Sequence, residues 1–102
     1  MFRQGDVLLV PVASAPDGRP IEPEDGRLVL ARGEATGHHH SVAVDDGELI
    51  DTAEGVFLRI MAATPLVHQE HGAITLEPGV YRVLRQREYV PGAIDRLVAL
   101  LD

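Results

Sequence analysis

The sequence predicts an all-β fold, a small single-domain barrel or roll of mostly antiparallel strands with a short C-terminal helix. Three observations predict it. Apolar residues come in short runs rich in Val, Ile and Leu. Glycine-containing turns separate the runs about every eight to twelve residues. Near the end the apolar spacing changes from strand-like to helical. The length of 102 residues fits one domain spanning 1–102.

Val7-Leu8-Leu9-Val10-Pro11-Val12, after Gln4-Gly5-Asp6, reads as a buried strand whose far end Pro11 places at an edge or bulge. Residues 14–25 hold three prolines and an Asp-Gly, which leaves no regular element there. Leu28-Val29-Leu30-Ala31 is a second strand, residues 33–37 a tight connection, and residues 38–44 a third strand. Asp45-Asp46-Gly47 has the composition of a hairpin turn, answered by Glu48-Leu49-Ile50-Asp51. After the turn Ala53-Glu54-Gly55, residues 56–62 form a strand, and residues 64–68 a shorter one broken at Pro65. His71-Gly72 turns into residues 73–77, and Pro78-Gly79 into a last strand over 80–89. Pro91 suits a helix's first turn, and Ile94, Leu97, Val98 and Leu101 repeat at helical spacing, so the helix spans about 91–102. It packs on the barrel or on a second copy, and a homodimer is expected because a chain this short buries a small share of its surface alone.

Composition narrows the chemistry. The formal charge is −7, which argues against general nucleic-acid binding, since that needs a basic face. No apolar run reaches the length of a membrane span, and the N-terminus lacks the pattern of a signal peptide, so a cytoplasmic protein is expected. Cysteine and lysine are both absent, which removes thiol and Schiff-base catalysis; all nine basic residues are arginine. His, Asp, Glu, Arg, Tyr and a bound metal are left.

Four of the five histidines fall in two tight pairs, His38 and His40 in His38-His39-His40, and His68 and His71 in His68-Gln69-Glu70-His71. Alternate side chains of a strand share a face, so His38 and His40 point one way and His39 the other. His68 and Glu70 share a face in an extended chain, and a bend at Gly72 brings in His71. The metal ligands expected are His38, His40, His68 and His71, with Glu70 as a further ligand or as general base. With no thiolate on offer the ion is a divalent transition metal, Zn, Ni, Co, Fe or Mn. Glu34 is a solvated turn residue or an outer acceptor for an imidazole. Ser41 beside His40 is no nucleophile pair, because neighbours on a strand face opposite ways. Arg85, Arg87 and Tyr89 share one parity of the last strand; they are read as the anion-holding side of a catalytic site, or as a solvated strand end paired to acidic neighbours.

The His38-His39-His40 segment after Gly33, with Gly47 beyond it, resembles the cupins, small β-barrels that hold a metal with an H-x-H pair, a carboxylate and a later histidine. The resemblance covers about residues 26–90 and implies a metal-binding barrel. The chain departs from that pattern where Pro78-Gly79 follows the last histidine instead of preceding it, and where the nearest carboxylates, Asp45 and Asp46, read as a turn. It is also similar to uncharacterised small bacterial proteins carrying Q-G-D-V-L-L, G-H-x-H and Q-R-E-Y, here at residues 4–9, 37–40 and 86–89; that pattern favours His38 and His40 over His39.

Three functions stay open at this stage. The first is a metal-dependent enzyme, a hydrolase or a cupin-type metalloenzyme, acting on a small anionic substrate through metal-bound water. The second is a non-catalytic metal-binding module, and the third a protein-interaction module in which the histidines are incidental.

Overall fold

The structure, a computed structural model, describes residues 1–32 and 38–85. The expected helix over 91–102, the connection at 33–37 and the residues Glu34, Arg87 and Tyr89 lie outside the described residues.

The described chain is all-β, with ten strands and one short 3-10 turn. The strands are β1 (Phe2–Gln4), β2 (Val7–Val12), β3 (Gly18–Pro20), β4 (Arg27–Arg32), β5 (His39–Ala43), β6 (Gly47–Thr52), β7 (Gly55–Ile60), β8 (Thr64–Leu66), β9 (Ile74–Leu76) and β10 (Gly79–Arg85). Six of them form one sheet in the order β1-β2-β10-β7-β6-β3, while β4-β5 and β8-β9 form two-stranded ribbons. Every pairing between the strands is antiparallel.

Strand alternation places the core. Val7 and Leu9 of β2, Leu49 of β6, Leu58 and Ile60 of β7 and Tyr81 and Val83 of β10 turn to one side of the sheet, where Leu28, Val42, Leu66 and Leu76 of the ribbons meet them. Leu8 and Val10 turn to the other side and are buried there with Leu84 packed against them, so β2 is apolar on both faces. This explains its unbroken apolar run. Leu58 has no exposed surface, and truncating it to alanine would cost about 2–5 kcal/mol.

Several expectations need correction. Residues 14–25 are not free of regular structure, because Gly18–Pro20 pairs with β6 in the register Gly18↔Thr52, Pro20↔Ile50. As the last strand of the sheet it can carry a proline, which has no N–H for a second neighbour. Gly18 is required, since a Cβ there would lie 2.3 Å from the Asp51 carbonyl oxygen. Pro65 does not break its strand either; it sits inside β8, exposed and opposite Thr75. Pro11 does stand where β2 has lost one neighbour, as β1 ends opposite Leu9.

Asp45-Asp46-Gly47 is not a hairpin turn. Val44–Asp46 forms the 3-10 turn, which carries the chain from the β4-β5 ribbon into the large sheet. The Asp46 carbonyl accepts the Met61 N–H at 2.8 Å, and Gly47 lies so close to the Arg59 carbonyl that a Cβ would come within 2.5 Å of it. Both features tie β6 to β7 and leave β5 to β4.

Phe2–Gln4 is a strand that the composition of the N-terminus does not announce. It returns into β2 through Gly5-Asp6, with Gln4 opposite Val7. Gly5 has φ of 57° and Asp6 a negative φ, the pattern of a tight hairpin turn that needs glycine first.

Candidate functional site

The site lies at one end of the sheet, where four segments meet: the Gly5-Asp6 turn, the end of β10 at Arg85, the start of β5, and residues 67–72 after β8. Ser41 and Val67 join the last two. Ser41 N–H donates to the Val67 carbonyl at 3.0 Å, and Val67 N–H to that of Ser41 at 2.9 Å.

In β5, His40 falls two residues before the core residue Val42 and shares its inward face. A bulge in β4 between Val29 and Ala31 sets His40 opposite Ala31. His40 is thereby buried, with 3% of its surface exposed. His39 faces away, where its backbone N–H donates to the Gln69 side-chain oxygen at 2.9 Å.

The four histidines of the two pairs come together. Ring centroids are 4.3 Å apart for His40 and His68, 4.6 Å for His68 and His71, 5.7 Å for His38 and His68, and 6.1 Å for His40 and His71. As the side chains stand, no three His, Asp or Glu groups among the described residues are arranged around one point as ligands of an ion. The rings are gathered without the arrangement of a coordination sphere.

The hydrogen bonds fix which nitrogen is available in His40 and in His68. Gln4, buried through sharing the inward face of β1 with Phe2, donates its amide nitrogen to the Leu66 and Gly72 carbonyls, both at 2.9 Å. Those bonds use both amide hydrogens, so its oxygen must accept, and His40 Nδ1–H donates to it at 2.8 Å. The remaining nitrogen of His40, Nε2, faces Asp6 Oδ1 at 3.5 Å. Burial foremost, then the neighbouring His68 charge, pushes the His40 pKa down to about 4 against the pull of Asp6. At neutral pH His40 Nε2 therefore carries a lone pair, and two acceptor atoms face one another.

His68 is held the other way. Its Nδ1 accepts the backbone N–H of Glu70 at 3.0 Å and of His71 at 3.3 Å. The proton of its neutral ring is then on Nε2, so in this arrangement His68 is a donor rather than a ligand. Burial and the His71 charge lower its pKa as well.

The carboxylates divide their work. Arg85 donates Nε and Nη2 to Asp6 Oδ2 at 3.0 and 2.7 Å, leaving Oδ1 toward the histidines. Burial acts to raise the Asp6 pKa, but the Arg85 hydrogen bonds and charge outweigh it and hold the carboxyl below its usual range. Glu70 Oε1 lies 3.2 Å from His38 Nδ1, within ion-pair distance but without the alignment of a hydrogen bond. Arg85, expected on the side of an anionic substrate, is in this structure the partner of Asp6, because its parity with Tyr81 and Val83 turns it inward beside the Gly5-Asp6 turn. The site residues Arg87 and Tyr89 lie outside the described residues.

Sequence reasoning missed Gln4 and Asp6. A signal was present: two polar residues flank a glycine directly before a wholly apolar strand, which is what a tight turn presenting polar groups at a sheet end looks like. A pocket opens on the other side of β5, lined by His39, Ser41, Val67, His68 and Gln69, so His68 stands between pocket and histidine cluster.

The family model described as a domain of unknown function, DUF8820, matches residues 3–86. The chain belongs to that family. No curated protein and no solved structure matches it. The DUF8820 match takes in every group described above, from Gln4 to Arg85. Among the described residues no helix is long and apolar enough to cross a membrane.

Proposed function

We propose that this DUF8820 domain binds a divalent transition metal, Zn, Ni, Co, Fe or Mn, at the cluster of His38, His40, His68 and His71. One observation carries the reading. Two segments about thirty residues apart in sequence bring four imidazoles together, and His40, the buried one, keeps an unprotonated nitrogen turned to a carboxylate. Packing alone has no use for such an arrangement, because gathering titratable rings lowers their proton affinity without satisfying them. A bound cation would satisfy the lone pairs and the carboxylate together.

The pocket beside His68 favours a catalytic use of the metal. It is lined by His68 of the cluster, and the N–H groups that the His39 ring and the Gln69 amide have left after bonding to one another suit an anionic molecule there. A metal-dependent enzyme, acting through metal-bound water on a small anionic substrate, is the function we favour over a non-catalytic module. Glu70 as base would first have to leave His38. A cytoplasmic homodimer belongs to the same proposal.

Elemental analysis of the protein purified without a tag tests the reading. The expected result is one equivalent of a transition metal in the wild type, little in His40→Ala and the full amount in His39→Ala. Metal-free wild type that takes up no ion on titration, or equal loss in both variants, rejects it.

A further inference from the structure

We infer that Asp6 is a metal ligand, and that His40 Nε2 and Asp6 Oδ1 are the preformed half of a tetrahedral site completed by His71. The inference rests on the metal-binding reading above and names a ligand that the histidine pattern does not contain.

The first argument is distance. In a tetrahedral zinc site a nitrogen and a carboxylate oxygen, each bound at about 2.0–2.2 Å, stand about 3.4 Å from one another. His40 Nε2 and Asp6 Oδ1 are 3.5 Å apart. Octahedral geometry, with its right angle between neighbouring ligands, would bring such a pair to about 3 Å.

The second argument is the space at Gly5. A Cβ there would lie 2.6 Å from His71 Nε2 and 3.3 Å from His40 Cε1, the atom bonded to Nε2. Both rings thus turn toward the same side of the Gly5-Asp6 turn, into room that any side chain at position 5 would fill. Rotation of the His71 ring, whose centroid is 6.1 Å from that of His40, would carry its nitrogen toward the pair.

The third argument is the way Asp6 is held. Arg85 occupies Oδ2 alone, so the carboxylate is aimed and its other oxygen left to the site. Glu70 engages His38, and His68 carries its proton on Nε2. Three protein ligands, His40, His71 and Asp6, then leave a fourth position open, as catalytic zinc sites do. The His68 Nε2–H and the pocket beyond it are at hand for whatever fills that position.

Titrations with Zn(II), and the visible spectrum of the Co(II)-loaded protein, test this in the wild type, Asp6→Asn, Arg85→Gln and His40→Ala. The wild type should give the intense Co(II) absorption of tetrahedral coordination. Asp6→Asn should lose more Zn(II) affinity than the ~10–100-fold typical of an outer partner, with a weakened Co(II) spectrum. Arg85→Gln should keep most of the affinity. Asp6→Asn binding like the wild type while His40→Ala fails would overturn the role of Asp6 and leave the metal reading standing. Equal losses in Asp6→Asn and Arg85→Gln would overturn it too, since Asp6 would then act only through its ion pair. A wild type that binds neither ion brings down both.

Discussion

Gly5 and His71 are in such close approach that a methyl group on Gly5 would lie 2.6 Å from the imidazole Nε2 and 2.8 Å from Cδ2. Gly5 also has φ of 57°, a conformation that costs other residues about 1–2 kcal/mol. Gly26 is a natural control, with φ of 74° and nothing near the place of its Cβ. We expect Gly5→Ala and Gly26→Ala to lose similar stability in urea, because the His71 ring can move aside. Only Gly5→Ala should lose metal affinity. Equal affinity in the two variants would show that the space at Gly5 has no part in the site.

Gln4 fixes the His40 tautomer through three hydrogen bonds, two buried and the one to Gly72 part-buried. Leucine has nearly the shape of glutamine and none of its polar groups, so Gln4→Leu leaves the Leu66 and Gly72 carbonyls and His40 Nδ1–H without this partner. Each orphaned group costs about 1–3 kcal/mol, and a loss of several kcal/mol is expected by chemical denaturation. The specific readout is the nitrogen-15 NMR signature of the His40 ring. The wild type should show the proton on Nδ1, and Gln4→Leu a mixture of tautomers. An unmixed Nδ1–H form in the variant would show that Gln4 does not set the tautomer.

What the sequence reveals of this site divides by range. That His38 and His40 share a face apart from His39 follows from the two-residue repeat of a strand, which is local. The meeting of His38 and His40 with His68 and His71 is long-range, and no hairpin at Asp45-Gly47 brings it about. The Ser41–Val67 bridge makes the junction, while the Asp-Asp-Gly turn sends the chain into a different sheet. Turn composition tells that a chain bends and says little about which strand receives it. The short strand at Gly18–Pro20 was hidden for a related reason, since proline at a sheet edge and proline in a loop look alike in sequence. The polar Gln4-Gly5-Asp6 turn signals only that polar groups stand at a sheet end; the role of Asp6 depends on Arg85, 79 residues away, which the local sequence does not reveal.

Thr64 is almost wholly buried in β8, and its hydroxyl has no hydrogen-bond partner among the described residues. Burying a hydroxyl without a partner costs about 1–3 kcal/mol on protein scales, and valine fills the same space with a methyl group. Thr64→Val should therefore raise stability by about 1 kcal/mol, seen as a higher melting temperature, with metal affinity unaltered. A loss of stability would mean that the hydroxyl is satisfied in solution, for example by a buried water.

The buried His40 makes the metal-free protein sensitive to mild acid. Its folded pKa is about 4, and its ordinary value is 6.5. Between these the unfolded chain binds a proton that the folded chain refuses, so stability rises with pH across the window. The contribution of His40 is complete above about pH 6.5 and gone once the pH has fallen to about 4. His68, also lowered, acts with the same sign. Asp6 acts in the same direction but starts only near its ordinary value of 3.8, below the range tested here. Urea unfolding at pH 7 and pH 5, with a chelator present, should show the wild type clearly weaker at pH 5. His40→Gln removes the main titrating group, and its stability should differ less between the two conditions. If wild type and variant lose equally between pH 7 and pH 5, burial of His40 is not the source of the acid sensitivity.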